Sequence, residues 1–364
     1  MRTITITAGG RSYDALVGAG LLADCGKLMA ERLRGPACAV VGDEKTAALF
    51  AEEVLESLRG AGFAPTLITI PAGEGAKSLP QVGVVCEEMA AAGLDRTSFV
   101  VALGGGVVGD LAGFAAAIYH RGIPHVQIPT TLLAQVDSAI GGKTAVNTAQ
   151  GKNLLGAVHQ PALVLADVAT LTTLPKREFN QGFAEIIKHA IIAEPALFAE
   201  VARVFTLRAA NDVGWLRALE ELVARNIALK AAIVARDEHD VSGARAVLNF
   251  GHTVGHAIER AGGYGRFLHG EAISLGIVAA CEVSVRRAGL AEEERDRVIG
   301  ALQAVGLPTK LPTDVAHDAI LAALVSDKKF ERGGVRFVVS PRLGEARLTT
   351  EVTLDDIRAV IACW

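Results

Sequence analysis

The sequence predicts a doubly wound α/β domain at residues 1–174, followed by a helical domain at residues 175–364. In the first half, short apolar runs alternate with Ala-rich helical stretches, and such runs are typical of strands buried on both faces of a parallel sheet. After about Leu174 the strand-like runs disappear, and apolar residues recur at i, i+3 and i+4. This change predicts two domains with a cleft between them.

The elements of the first domain follow in order. An opening hairpin is predicted because the β-rich runs at 4–7 and 13–17 flank the turn-like sequence AGGR. Apolar strands then alternate with helical crossovers, as a βαβ pattern requires. The predicted strands are 38–43, 66–70, 99–106, 125–129 and 162–167. The predicted crossover helices are 46–60, 80–92 and 109–117.

The second domain is predicted from helical periodicity alone. The predicted helices are 178–189, 197–208, 214–236, 249–260, 271–288 and 291–305. One late strand is predicted at 335–340, where the sequence reads VRFVVS.

Composition excludes several classes of protein. Of the 364 residues, 51% are hydrophobic and 21% charged, so the chain can bury a large core and is not disordered as a whole. A formal net charge of -4 and an aromatic content of 5% argue against a nucleic-acid-binding surface. Apolar runs stay well below the ~20 residues that a membrane helix needs. We therefore expect neither a nucleic-acid nor a membrane partner.

Cysteine usage and the N-terminal sequence indicate the compartment. The cysteines at 25, 38, 86, 281 and 363 are scattered without a CxxC pair, so neither a disulfide framework nor a zinc ribbon is predicted. The N-terminal residues read as a strand and lack the apolar core of a signal peptide. We expect a reducing, cytoplasmic location.

Two loops after predicted strands could contact a nucleotide. Glycines in LGGGVVGD, at 103–110, would let the backbone approach a pyrophosphate at a helix N-terminus. A tight structural turn explains the same glycines equally well. In PAGEGAKS, at 71–78, Glu74 and Lys77 could reach the nucleotide, although a solvated polar loop is the simpler interpretation.

A second glycine-rich stretch, at 128–147, is followed at once by the sequence GKN at 151–153. Around its Gly pair it places Thr130, Thr131, Asp137, Lys143 and Asn147. Two lysines in apolar, Gly-rich surroundings favour an anionic partner, because Lys is rarely buried unpaired. A mobile surface loop is the alternative.

Three histidines and one carboxylate suggest a metal site. His252 and His256 lie at i, i+4 on one predicted helix, a spacing suited to metal ligands, and His269 precedes the next helix. Spacing alone makes His252 and His256 the ligands, with His269 or Glu185 as the third. Structural or surface histidines are the alternative. Glu185 and Lys188 lie at i, i+3, where a surface ion pair is the simpler interpretation.

Further cationic residues have no local acidic partner pattern. They are Arg121, Lys230, Arg245 and the lysines of SDKKF at 326–330. Each alone is ordinary surface charge, but together they could form an electropositive cleft that concentrates a polyanionic substrate.

Taken together, these motifs resemble the 3-dehydroquinate synthase family, in the family's order and spacing over nearly the whole chain. The matching segments are GGGVVGDLAGFAAAIYHRG, IPTTLLAQVDSAIGGKTAVN, GKNLLGAVHQP, LTTLPKREFNQGFAEIIKH, LNFGHTVGHAIE, FLHGEA and SDKK. No single segment is specific, but the set is.

The resemblance implies a fold and an activity. The fold is an N-terminal Rossmann-like α/β domain with an all-α C-terminal domain, related to metal-dependent polyol dehydrogenases. The activity converts 3-deoxy-D-arabino-heptulosonate 7-phosphate, a sugar-phosphate acid, into 3-dehydroquinate and phosphate in the shikimate pathway. It proceeds by transient oxidation with NAD+, β-elimination of phosphate, re-reduction and aldol closure. Zinc or cobalt as the divalent metal and a cytoplasmic homodimer are also implied.

The resemblance further implies roles for individual residues. The metal ligands are Glu185, His252 and His269, which assigns His256 to the substrate rather than to the metal. The NAD residues are Asp43, Glu74, Lys77, Gly105, Gly106, Asp110, Thr130, Thr131, Lys143, Lys152, Thr170 and Thr173. The substrate and catalytic residues are Arg121, Asp137, Lys143, Asn153, Lys188, Lys230, Arg245, Asn249, His256 and Lys328. The arginine that matches Arg121 reaches the neighbouring subunit's site in the family.

Three other functions remain to be weighed. A sibling sugar-phosphate cyclase, such as 2-deoxy-scyllo-inosose synthase, is the nearest alternative, although Arg245, Leu248, Asn249 and His256 match the dehydroquinate pattern. A metal-dependent polyol dehydrogenase would release net NADH, whereas a cyclase recycles it. An inactive NAD-binding module would have lost metal ligands, and all three are present.

Overall fold

The computed structural model describes residues 1–240, 243–263, 265–325, 330–331 and 334–363. The chain forms two compact units. The first comprises Met1–Leu174 together with Leu219–His239. The second comprises Pro175–Ala218 together with Asp240–Trp364.

The first unit is built on a seven-stranded, mostly parallel sheet. The strands of this unit are β1 Arg2–Ala8, β2 Arg11–Gly18, β3 Ala37–Asp43, β4 Ala64–Ile70, β5 Phe99–Gly104, β6 His125–Pro129, β7 Lys143–Thr148, β8 Gly151–Val158 and β9 Leu163–Asp167. Strands β7 and β8 pair with each other outside the main sheet. Its helices are α1 Cys25–Ala30, α2 Glu44–Gly60, α3 Leu79–Ala91 and α4 Gly106–Ile118. The sheet has the order β1-β2-β9-β6-β5-β3-β4, and only the predicted hairpin β1–β2 is antiparallel.

Helices cover both faces of this sheet because its central strands are apolar on both faces. Every residue of β5 and β6 is buried. On one face, Val54 and Leu58 of α2 pack into a cluster with Val40 and Val101. On the other face, α3 and α4 pack against the sheet in a second cluster that includes Leu111. The predicted doubly wound α/β fold is confirmed.

The glycine-rich stretch at 128–147 ends in an ordered hairpin rather than in an irregular loop. Strands β7 and β8 pair antiparallel, with Lys143 opposite Val158. Helix α4 packs closely on β7, because a Cβ at Gly113 would lie 2.5 Å from a methyl carbon of Thr144. The hairpin therefore has a fixed position in the first unit.

The second unit is mainly helical, as predicted. Its helices are α5 Lys176–Gln181, α6 Phe183–Ile192, α7 Leu197–Ala209, the start of α8 Trp215–Val234, α9 His252–Ala261, α10 His269–Ala288, α11 Glu292–Ala304, α12 His317–Val325 and α13 Leu354–Ile361. Strand β10 Phe330–Glu331 pairs antiparallel with β11 Gly334–Val335, and β12 Phe337–Arg342 forms a hairpin with β13 Glu345–Thr349. Within the described ranges, every helix falls short of the length or the apolar character needed to cross a membrane.

The second unit differs from the sequence prediction in several elements. Helices α12 and α13 and strands β10 and β11 were not predicted. The single helix predicted at 178–189 is two helices, because the amide of Gly182 bonds the carbonyl of Phe179 in a tight turn that separates α5 from α6. The strand predicted at 335–340 is the β12 strand of a hairpin. Its partner β13, whose residues are half-buried or exposed, was not predicted.

Candidate active site

The candidate metal ligands come from three helices of the second unit. Glu185 lies in the first turn of α6, whereas His252 and His269 are the first residues of α9 and α10. Glycine allows the helices to meet, since a Cβ at Gly270 would lie 2.1 Å from the carbonyl oxygen of Gln181. The start of α10 is therefore held directly against the junction of α5 and α6.

The three side chains converge on one point. Nε2 of His252 lies 3.4 Å, and Nε2 of His269 lies 3.6 Å, from Oε1 of Glu185. Candidate ligand atoms of all three residues lie within 4.8 Å of one another. Two ligands held at about 2.0 Å in a tetrahedral arrangement are separated by about 3.3 Å, so the spacing fits a single divalent ion.

The environment of Glu185 also fits a cation. The residue is fully buried and, ion pairs apart, neither carboxylate oxygen has a hydrogen-bond partner among the described residues. One turn along α6, the buried Lys188 ammonium pairs with Oε2, so this is not a surface ion pair. Burial alone would raise the pKa of the Glu185 carboxyl, but Lys188 and His252 hold it well below its usual range. The carboxylate is thus ionised and incompletely satisfied.

The imidazoles of His252 and His269 differ in their polar contacts and in the direction of their pKa shifts. Nδ1 of His252 donates to the carbonyl oxygen of Phe250 at 3.2 Å, which leaves the lone pair of Nε2 directed at Glu185. Burial lowers the pKa of His252, although Glu185 opposes the shift. Burial also lowers the pKa of His269, but its ion-pair contacts with the Glu185 and Glu259 carboxylates raise it to about 9. A metal ion at His269 would therefore replace a proton.

Glu259 is a functional candidate that sequence reasoning missed. It is 5% exposed, and its Oε2 lies 3.7 Å from Nδ1 of His269, on the side of the ring away from Glu185. Metal-bound histidines commonly direct their second ring nitrogen at a carboxylate. The sequence feature that could have identified Glu259 is its position two helical turns after His252 on α9, which places both residues on one helix face.

His256 lies beside the ligands but does not belong to their group. Its ring centroid is 5.3 Å from that of His252 and 5.9 Å from that of His269. The residue is exposed, in contrast to the buried His252. Spacing alone did not distinguish His256 from the ligands, because i, i+4 positions share a helix face but need not direct their side chains at one point.

The remaining candidate substrate residues of the second unit lie near α9 in the chain. Arg245, which is 3% exposed, and Asn249 belong to a 3-10 turn, Ala244–Asn249, directly before that helix. Lys328 lies outside the described residues.

In the first unit, the candidate NAD residues follow the carboxyl ends of five parallel strands. They are Asp43 at the end of β3, Glu74 and Lys77 after β4, Gly105, Gly106 and Asp110 after β5, Thr130 and Thr131 after β6, and Thr170 and Thr173 after β9. The carboxyl edge of an open α/β sheet is where ligands bind. Lys143 and Lys152 lie on the β7–β8 hairpin.

The glycine-rich turn leaves the start of α4 uncrowded. Gly105 is the N-cap of α4, and a Cβ there would lie 3.1 Å from the Thr131 side chain. A Cβ at Gly106 would lie 3.0 Å from Oγ of Ser138. Glycine at both positions keeps space beside amide groups that favour an anion.

Lys77 lies at the centre of a polar network. Its Nζ is 2.5 Å from Oδ2 of Asp110 and 2.6 Å from Oδ1 of Asn153. Burial raises the pKa of Asp110, although the Lys77 ammonium opposes the shift. Glu74 accepts a hydrogen bond from Asn147 at 2.7 Å and lies 3.6 Å from Nζ of Lys152. This loop is therefore a structured charged site and not merely a solvated loop.

The other candidate substrate residues of the first unit do not all lie together. Lys230 on α8 is 5% exposed, and its Nζ lies 2.7 Å from Oδ1 of Asp137. Lys143 and Arg121 are exposed. Arg121 has a φ of 68°, a strained left-handed conformation for a residue with a long side chain.

Comparison with known proteins identifies the family. Residues 67–181 match the family model for the 3-dehydroquinate synthase N-terminal domain, and residues 182–330 match that for the C-terminal domain. The chain belongs to the 3-dehydroquinate synthase family. The family predicted from the sequence motifs is confirmed. The 3-dehydroquinate synthase of Desulforamulus reducens is 43% identical over 362 residues, covering 100% of both chains.

Two solved structures of related cyclases are also similar. A 2-deoxy-scyllo-inosose synthase complexed with carbaglucose-6-phosphate, NAD+ and Co2+ superposes with a TM-score of 0.87 at 26% identity, covering 99% of each chain. The 2-epi-5-epi-valiolone synthase of Streptomyces hygroscopicus, with NAD+ and Zn2+ bound, gives 0.87 at 30% identity and covers 100% of this chain and 99% of its own.

Proposed function

We propose that this member of the 3-dehydroquinate synthase family converts 3-deoxy-D-arabino-heptulosonate 7-phosphate into 3-dehydroquinate and phosphate, within the shikimate pathway. The 43% identity, over the full length, to a 3-dehydroquinate synthase supports this function. The structural observation that carries it is the convergence of Glu185, His252 and His269 on one point. A carboxylate and two imidazoles leave coordination positions for substrate oxygens.

The cofactors follow from the donor set and from the related cyclases. Their structures contain NAD+ with Co2+ or Zn2+, and one carboxylate with two imidazoles suits either metal. When bound, the metal lowers the pKa of a coordinated hydroxyl, and NAD+ accepts and later returns one hydride. The ligands assigned to the metal are Glu185, His252 and His269. The chain's other groups bind, orient and neutralise charge.

The proposed NAD site is the carboxyl edge of the first unit's sheet. The α4 N-terminus at Gly105 and Gly106 would favour the pyrophosphate, because its amides carry partial positive charge. Lys77, held between Asp110 and Asn153, would add a fixed cation. The other residues assigned to NAD are Asp43, Glu74, Thr130, Thr131, Lys143, Lys152, Thr170 and Thr173.

The proposed substrate residues are mostly cationic, as a phosphorylated sugar acid requires. We assign Lys143, Asn153, Asn249 and His256 to the phosphate. We assign Arg245 and Lys328 to the carboxylate. Arg121, Asp137, Lys188 and Lys230 complete the set. Lys188 has a second effect, since its ammonium keeps Glu185 ionised. No carboxylate is assigned as base for the β-elimination, because an oxygen of the departing phosphate can take that proton.

Organisation beyond the active site completes the proposal. Residues 1–174 form the NAD-binding domain, and residues 175–364 form the metal- and substrate-binding domain. The protein is a cytoplasmic homodimer, in which Arg121 acts in the partner's active site. The exposed apolar side chains of Leu154, Leu155 and Val158 on β8 support a protein interface.

One experiment tests the activity against its alternatives. The purified protein is incubated with the heptulosonate phosphate, NAD+ and Zn2+, while phosphate and NADH absorbance are followed. We expect phosphate release without net NADH. Net NADH would indicate a polyol dehydrogenase. Turnover of glucose 6-phosphate or sedoheptulose 7-phosphate in place of the heptulosonate would indicate a sibling cyclase. The absence of any turnover would contradict the proposal.

A further inference from the structure

Asn147 is one of the polar residues of the 128–147 stretch to which the family resemblance gives no role. It lies on β7, half-buried, and both ends of its side-chain amide are used. Nδ2 donates to Oε1 of Glu74 at 2.7 Å, and Oδ1 accepts from the backbone amide of Asn153 at 3.0 Å. Its backbone amide also donates to the carbonyl oxygen of Lys77 at 2.8 Å. The Asn147 side chain therefore joins the loop after β4, which contains Glu74, to the β7–β8 hairpin.

Asn153 needs such support because its backbone is strained. Its φ is 56°, in the left-handed region, which asparagine tolerates better than most residues. Strained conformations persist only where the surroundings fix them. Here the amide of Asn153 is held by Asn147, and its Oδ1 accepts from Nζ of Lys77 at 2.6 Å. Removing the side-chain carbonyl of Asn147 would release one of these two restraints.

We propose that Asn147 is a positioning residue that orients Glu74 for NAD and, separately, Asn153 for substrate. This inference rests on the proposed function, because that function assigns Glu74 to NAD and Asn153 to the substrate phosphate. The proposed function assigns Asn147 itself to neither ligand. It acts through two hydrogen bonds at opposite ends of one amide, so the two effects are chemically separable.

Two substitutions separate the effects. Asn147→Ala removes both hydrogen bonds. Asn147→Asp keeps an oxygen that accepts from the Asn153 amide, but it places a carboxylate against the carboxylate of Glu74, which repels it. Gln150→Ala is the matched control, since Gln150 is exposed in the turn of the same hairpin and only its backbone amide makes a hydrogen bond among the described contacts.

The measurements are the dissociation constant of NAD+ by calorimetry and the KM for the heptulosonate phosphate at saturating NAD+. A net hydrogen bond of about 1 kcal/mol corresponds to about a fivefold change. We expect Asn147→Ala to raise both constants by at least about fivefold, and Asn147→Asp to raise only that of NAD+. Gln150→Ala should change neither. A merely structural role would change both constants together in both variants, and that result would overturn the inference, as would unchanged constants in Asn147→Ala.

A ligand-free readout distinguishes failure of this inference from failure of the proposed function. Amide hydrogen exchange at Asn153 should be faster in Asn147→Ala than in the wild type and should be restored in Asn147→Asp. Equal exchange rates in all three proteins would overturn the inference even in an active synthase. A wild type without phosphate release would overturn the proposed function, while the exchange rates would still decide whether Asn147 holds Asn153.

Discussion

Nδ1 of His269 lies 3.7 Å from Oε2 of Glu259, while Nε2 of the same ring lies 3.6 Å from Oε1 of Glu185. Both carboxylates are buried. With Nδ1–H directed at Glu259, a metal ion that replaces the Nε2 proton would find the Nε2 lone pair available, and the ring cannot rotate without losing a carboxylate contact. Glu259 would thus set the tautomer of the metal-bound His269 and helps to hold the ring's orientation.

Replacing Glu259 with Gln should therefore weaken metal binding. Loss of such an outer carboxylate typically costs about 10- to 100-fold in metal affinity. Competition with a chromophoric chelator measures this affinity without turnover. Glu292→Gln on the exposed start of α11 is the control and should bind zinc as the wild type does. Wild-type affinity in Glu259→Gln would show that His269 needs no carboxylate behind it.

Replacing Lys188 with Met should destabilise the metal-free protein. The substitution leaves the buried Glu185 carboxylate without its ammonium partner, and breaking a buried pair in this way costs about 3 to 5 kcal/mol. Zinc should recover part of this loss, because it supplies positive charge to the same carboxylate. Urea unfolding with chelator and with zinc measures both effects. The control Lys310→Met, at an exposed position, should have no effect. Equal unfolding of Lys188→Met and the wild type in chelator would contradict the account.

His125 should make the stability of the protein depend on pH. It is 1% exposed on β6, and its ring is stacked on that of His159. Burial, together with a smaller electrostatic effect of His159, lowers the pKa of His125 to about 3. In the unfolded chain the pKa of His125 is near its usual value of about 6.5. Between about pH 6.5 and 3 the unfolded state therefore binds a proton that the folded state does not, and stability falls as the pH drops through this range.

The His125→Phe variant isolates this contribution. Between pH 7 and 5.5, the wild type should lose on the order of 1 kcal/mol more stability than His125→Phe. Urea unfolding at the two pH values measures the difference. His239→Gln, at an exposed histidine, should follow the wild type. If the wild type and His125→Phe lose equal stability, His125 does not fold as a neutral buried group.

The proposed dimer predicts complementation between inactive variants. Arg121→Ala and Lys143→Ala proteins, mixed under subunit exchange, should regain up to about a quarter of wild-type activity, because half of the dimers then contain one intact site. Each variant mixed with itself is the control. If the mixture stays inactive although mass spectrometry shows exchanged dimers, Arg121 does not act across subunits.

The sheet could be predicted from the sequence because its signal is local. Runs such as FVVALG at β5 are apolar throughout, and a strand covered on both faces buries every residue of such a run. The β7–β8 hairpin could not be predicted in this way. Its exposed residues and glycines carry no alternation, and its position depends on the close contact between Gly113 and Thr144.

The candidate site shows the same limit. Helical spacing draws attention to His252, but it cannot distinguish His256 from His269, because the candidate ligand group depends on how α9 and α10 pack. Family resemblance supplied that choice. Neither spacing nor resemblance indicated Glu259 or a role for Asn147, since both act through side-chain contacts that depend on how different elements pack.

The zinc content of two histidine variants tests the central claim most directly. Elemental analysis after dialysis should find about one ion per chain in the wild type and in His256→Ala, and almost none in His269→Ala. Both variants should lose turnover, so the metal content alone separates a ligand from a substrate residue. Full zinc occupancy in His269→Ala, or its loss in His256→Ala, would contradict the assignment of Glu185, His252 and His269 as the metal centre.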